Sequence, residues 1–138
     1  MLPGQRTGRS RNPENNMIIG VGTDVIEIAR IKKACEKEAF LLRVFTQEER
    51  RQAGEKVSRL AGDFAVKEAV SKVFGTGFRT FGLQEIEVLR DALGKPFVKL
   101  TGTAERLAGE MGIARLHVSI TNTETLAIAF AVGEGENR

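Results

Sequence analysis

The chain has 138 residues, 41% of them hydrophobic and 28% charged, with a net charge of +3; this suits one ordinary globular domain built on one core. No apolar run approaches the ~20 residues of a membrane-spanning helix, and the N-terminus lacks the apolar stretch of a secretory signal. Cys35 is the only cysteine, which excludes an intrachain disulfide and a cysteine zinc cluster, and the expectation is a cytoplasmic protein.

The positive balance is not a nucleic-acid signature, because of where it lies. Residues Met1 to Asn16 hold Arg6, Arg9 and Arg11 against Glu14, which is two of the three net charges. The rest of the chain is close to neutral and has no Tyr or Trp for base stacking. That leading segment is rich in Gly, Pro, Asn and Arg and holds one large aliphatic, Leu2, so it has too little apolar surface to order itself. It reads as a disordered extension or an upstream mis-start, with the domain proper covering residues 17–138.

Met17 opens the domain with a short apolar strand, Ile18 to Val21, broken by Gly20 and Gly22. Glu27 to Ala39 reads as a helix with Ile28, Ile31 and Cys35 on one face. Thr46 followed by Glu49 is a capping-box pattern ahead of a short charged helix. Val57 to Phe74 is the strongest helical segment, with alanines at 61, 65 and 69, and Gly75 is its natural stop. Leu83 to Leu89 alternates as a strand with one wet face, and Asp91 to Gly94 turns it into a second strand, Lys95 to Leu100. Thr103 to Met111 follows as a short helix, then two strands, Ile113 to Ile120 and Thr125 to Val132. The pattern is α+β: early helices packed on a late antiparallel sheet.

Several residues along this frame can carry chemistry. Asp24 follows Gly20-Val-Gly-Thr; it either caps the helix opening at Glu27 or presents a carboxylate where glycines let a ligand approach. Glu68 and Lys72, and likewise Asp63 and Lys67, stand four apart on one helix, the spacing of surface ion pairs. The flanking alanines leave a thin, close-packing surface around Glu68, which favours a specific partner for its carboxylate. Two carboxylates with little histidine suit a hard cation such as Mg²⁺. Gly75-Thr76-Gly77 sits at a helix C-terminus, where the dipole repels anions, so phosphate contact there needs loop amides and Lys72. Gly94-Lys95-Pro96 by itself is a turn with a charge. His117, the only histidine, shares a strand face with Ser119 without a visible orienting acid, and reads as structural.

Taken in order, these stretches resemble the holo-acyl-carrier-protein synthases, small phosphopantetheinyl transferases. The resemblance rests on Ile19-Gly-Val-Gly-Thr-Asp24 with Ile28-Ala-Arg-Ile31, and on Phe64-Ala-Val-Lys-Glu-Ala69 through Lys72 to Gly77. It continues with Glu87-Val-Leu and Gly94-Lys-Pro96, then with His117-Val-Ser-Ile-Thr-Asn-Thr123, so it runs from Met17 to about Glu134.

The resemblance implies transfer of the phosphopantetheine arm of coenzyme A to a serine of an apo acyl carrier protein, releasing adenosine 3',5'-bisphosphate. It places Asp24 and Glu68 on the family's magnesium ligands and Lys72 beside the phosphates. Gly75, Thr76 and Gly77, with Gly94, Lys95, Pro96 and Asn122, fall on segments lining the coenzyme A pocket. Arg30 falls on a helix that docks the acidic carrier, and the family is typically a homotrimer with sites between subunits. The general base stays open between a metal-oriented water and one of the carboxylates.

Two positions depart from the pattern. Asn122 replaces a common histidine, and Asp63 stands where relatives often have an arginine, each removing a donor or charge near an anionic ligand. The rival reading is a catalytically impaired carrier-binding module of the same fold.

Overall fold

The computed structural model describes residues 16–75 and 82–136, with Asn16 by its backbone alone. The expected extension therefore lies almost wholly outside the described residues, as do Thr76 and Gly77. In chain order the elements are β1 (Asn16–Glu27), α1 (Ile28–Ala34), α2 (Glu38–Val44), α3 (Gln47–Ala53), α4 (Val57–Phe74), β2 (Ile86–Arg90), β3 (Pro96–Leu100), α5 (Gly102–Glu110), β4 (Ile113–Asn122) and β5 (Leu126–Glu136). Strands β1, β5 and β4 form one antiparallel sheet in that order, and β2 and β3 form a separate hairpin. No helix among the described residues is long and apolar enough to cross a membrane.

The α+β expectation holds, with one rearrangement: the first strand joins the late sheet. β1 does not break at its glycines but runs twelve residues, pairing Gly22 with Ala131 and Asp24 with Ala129. The glycines serve a different purpose. A Cβ on Gly22 would stand 1.9 Å from the carbonyl oxygen of Ala69 and 3.0 Å from the Cβ of Lys72. Helix α4 thus lies backbone against backbone on β1, and only glycine permits that distance. Ala127, Ala129 and Ala131 of β5 continue the thin surface under the helix, all of them buried.

Because α4 is covered on most sides, Asp63, Lys67 and Ser71 are buried along with its alanines. Lys67, fully buried, donates to the carbonyls of Leu83 (2.9 Å) and Ile86 (2.7 Å) and pairs with Glu49 at 2.8 Å. Glu49 in turn accepts from the amides of Val88 and Thr46, while the Thr46 hydroxyl caps α3 in the expected box. Asp63 pairs instead with Arg90 at 2.6 Å. Asp63 and Lys67 are therefore not a surface pair; each holds a different neighbour to α4, and burial makes each partner indispensable.

The expected helix over 27–39 is two helices. Amides of Glu36 and Lys37 bond to the carbonyls three residues back, which tightens and ends α1. The turn lets Phe40 and Phe45 fold back with Ile31, Val44 and Leu60 into a second cluster beside α4.

Gly22→Ala should lower stability at fixed protein concentration by about 3 kcal/mol, the upper part of the range for overpacking, because the obstructing atom is backbone and cannot rotate away. Denaturant unfolding of the two proteins measures the difference.

Candidate active site

The approach of α4 to β1 sets the first cluster. Gly22 and Asp24 are two apart on a strand and so share the face turned to the helix, where Glu68 and Lys72 stand one turn apart beside Ala69. The Lys72 ammonium donates to the Thr23 carbonyl at 2.8 Å and reaches Asp24 Oδ1 at 3.4 Å. The other Asp24 oxygen, Oδ2, is buried and has no hydrogen-bond partner. Glu68 is half-buried, and both burial and the neighbouring Asp24 charge push its carboxyl above the usual range, while Lys72 pulls it back.

A pair of like charges with an orphaned oxygen suits a further cation besides the Lys72 ammonium, since a buried carboxylate oxygen without a donor is costly. Among the described residues no group of three or more metal-ligating side chains exists. Two carboxylates nonetheless fit Mg²⁺, which keeps waters and takes substrate phosphate oxygens for the remaining positions.

A second feature lies at the opposite end of α4. An open groove of about 390 Å³ is lined by Lys56, Ser58 and Arg59, by Arg90, Gly94 and Pro96, and by Ile120 and Asn122. Three of these are cations and none is an acid, and the first turn of α4 also carries no acidic residue, so the groove suits an anion. From Ser58 to Glu68 is ten residues, about 15 Å along a helix axis, and the groove shares no residue with the first cluster.

A family model described as the 4'-phosphopantetheinyl transferase superfamily matches residues 20–131, a span that takes in both features. The chain belongs to that superfamily. It is 54% identical over 86% of its length, and 97% of the other's, to a holo-[acyl-carrier-protein] synthase of Lachnoclostridium phytofermentans. Its structure is similar to that of the holo-ACP synthase of Plasmodium yoelii, with a TM-score of 0.79 and 30% identity, covering 90% of this chain and all of that one. It is also similar to the Helicobacter pylori holo-[acyl-carrier-protein] synthase in complex with coenzyme A, with a TM-score of 0.73 and 31% identity over 82% of this chain and 98% of that one.

Within the transferase, these two groups take in many of the residues singled out from sequence. Asp24, Glu68 and Lys72 come together, although Asp24 sits within β1 and the N-cap of α1 is Glu27. Gly75 ends α4 in the left-handed conformation (φ 78°), as expected of a cap. Gly94, Pro96 and Asn122 line the groove, and Lys95 lies between the first two.

The sequence reading missed Lys56, Arg59 and Arg90; the only available signal was a helix opening on cations without an acid. It also set Asp63 beside the anion, whereas Asp63 is buried and holds Arg90 there, and burial pushes its carboxyl up to about 7 against the charge and hydrogen bond of Arg90.

His117 does have an acid beside it: Glu134 Oε1 lies 2.8 Å from His117 Nε2 and 3.3 Å from Arg115 Nε, on the exposed sheet face. That face is remote in register from Asp24, which pairs with Ala129 while His117 pairs with Val132.

Without added divalent cation, the Glu68 carboxyl should titrate above the usual glutamate range, because burial and the Asp24 charge disfavour its ionised form. Asp24→Asn should lower that midpoint part of the way, since burial remains while the like charge is gone. Carbon-detected NMR of the Glu68 carboxyl across pH checks both values.

Proposed function

We propose that the chain transfers the phosphopantetheine arm of coenzyme A to a serine of an apo acyl carrier protein, with Mg²⁺ held by Asp24 and Glu68. The carrying observation is the buried, unpartnered Oδ2 of Asp24 beside the half-buried Glu68 and the Lys72 ammonium. Bound there, Mg²⁺ would supply a Lewis acid and charge neutralisation for the coenzyme A diphosphate.

Lys72, more than half exposed, turns from Thr23 to a phosphate oxygen, adding a charge-assisted donor against the repulsion of the α4 C-terminus. The serine hydroxyl gives its proton to a water or to one of the site's carboxylates as its oxygen forms a bond to the phosphorus that bears the pantetheine arm. The bond from that phosphorus to the bridging oxygen breaks, and adenosine 3',5'-bisphosphate leaves. Such chemistry needs chiefly positioning and electrostatic stabilisation, which two carboxylates and a lysine can provide.

Gly94, Lys95, Pro96 and Asn122, with Gly75 to Gly77, take the nucleotide half. Ser58 at the groove stands about 15 Å along α4 from Glu68, a separation that favours a site completed by a second copy. The outer face of the three-stranded sheet supplies a surface for such copies: Val21, Val25 and Phe130 are each about half exposed there (55%, 55% and 48%). A homotrimer with sites between subunits is consistent with both features.

The carrier is assigned to the groove between α1 and α2, lined by Arg30, Lys33, Lys37, Phe40 and Arg43. Four cations around one aromatic suit an acidic helix with an apolar anchor.

Mixing the protein with coenzyme A, Mg²⁺ and an apo carrier, then weighing the carrier, tests the reading. Modification is expected with the wild type, and at least a hundredfold less with Asp24→Ala or Glu68→Ala; near-normal turnover in both variants with an unchanged metal requirement would remove the site. Arg30→Glu should raise the KM for the carrier far more than that for coenzyme A, with the gap widening as salt is lowered. Equal changes in both would place docking elsewhere.

A further inference from the structure

Of the three cations lining the groove at the start of α4, only Arg90 is fixed before any ligand arrives. Its side chain is 12% exposed, whereas Lys56 is exposed and Arg59 partly so. Two neighbours hold it and a third makes room for it. The Gln52 side chain bonds both backbone groups of Arg90, accepting from its amide at 2.8 Å and donating to its carbonyl at 3.0 Å. Asp63, 1% exposed, takes the guanidinium through Nη1 at 2.6 Å. Gly62 leaves the space for the second nitrogen, since a Cβ there would stand 3.3 Å from Nη2 and 3.2 Å from Ile120 Cγ2.

A guanidinium has five N–H donors in a rigid fork, so one carboxylate oxygen on Nη1 leaves most of them free. Burial and prior orientation remove most of the ordering cost that a surface lysine would incur on gripping an anion.

We infer that Arg90 is a phosphate-binding and specificity-determining residue of this transferase, aimed by Asp63, Gln52 and the absent side chain of Gly62 at a phosphate of the nucleotide half of coenzyme A. The inference rests on the proposed coenzyme A site. It also gives buried Asp63 a role: the cation comes from the end of β2, and the helix contributes the counter-charge that orients it. Asp63 is then a positioning residue, acting through Arg90.

The test is calorimetric binding of coenzyme A and of dephospho-coenzyme A, which lacks the 3'-phosphate, to the full chain with Mg²⁺. The variants are Arg90→Lys and the double Asp63→Asn/Arg90→Gln, whose amide pair keeps a hydrogen bond across the buried position and so preserves the fold. Both should bind coenzyme A about 10- to 100-fold more weakly, the size of a lost charge-assisted pair. If the 3'-phosphate is the ligand group, dephospho-coenzyme A should be nearly indifferent to them; an equal loss for both ligands would instead assign Arg90 to the diphosphate. Asp63→Asn alone should raise the KM for coenzyme A with kcat held within about twofold, because Arg90 keeps its charge and loses only its aim. Wild-type affinity for both ligands in both variants, with folds intact by circular dichroism, overturns the assignment of Arg90. Failure of the wild type to bind coenzyme A overturns the underlying site as well.

Discussion

Helix α4 can reach the floor of the sheet because β1 has no side chain at Gly22. With the Ala69 carbonyl where a Cβ would be, the helix and strand are closer than any pair of ordinary residues allows. That contact brings Asp24, two residues further along β1, beside Glu68 and Lys72. A wider separation would leave the two carboxylates as unrelated surface charges. The alanines on α4 and β5 extend the same close surface, so the small residues here are what makes the site, and its charged residues follow from them.

The cost of so deep a helix is that Asp63 and Lys67 are cut off from water. The fold meets this with long-range partners: Lys67 with Glu49 and two carbonyls, Asp63 with Arg90. These pairs tie α3 and the β2–β3 hairpin to α4 and thereby shape the basic groove at its N-terminal end. The carboxylate cluster and the groove are thus built on one helix by two devices, a backbone contact near one end and buried ion pairs toward the other.

Much of this was legible in the residues and some was not. The bounds of α4, the Thr46 capping box and the β2–β3 hairpin follow from local signals, namely an alanine-rich run with a glycine stop, a Thr with Glu three later, and alternation around a turn. β1 was misread because glycine inside a strand looks like a break when the chain is viewed alone; its meaning depends on a helix some 45 residues later. Asp63 and Lys67 looked like a surface pair because i,i+4 spacing says nothing about what covers the helix. The partners Glu49 and Arg90 lie on other elements, so neither pairing has a local signature. Family resemblance supplied Asp24, Glu68 and the glycine-lined segments as a set, and the structure separates that set into two places on one chain.

The central claim is that the contact at Gly22 creates a divalent-cation site from Asp24 and Glu68. Anomalous diffraction from crystals grown with coenzyme A and Mn²⁺ in place of Mg²⁺ tests it most directly, because it locates the ion without reference to activity. A single manganese peak within bonding distance of both carboxylates is the predicted result. A peak bound to other residues, or coenzyme A in place with no ion between Asp24 and Glu68, would contradict it.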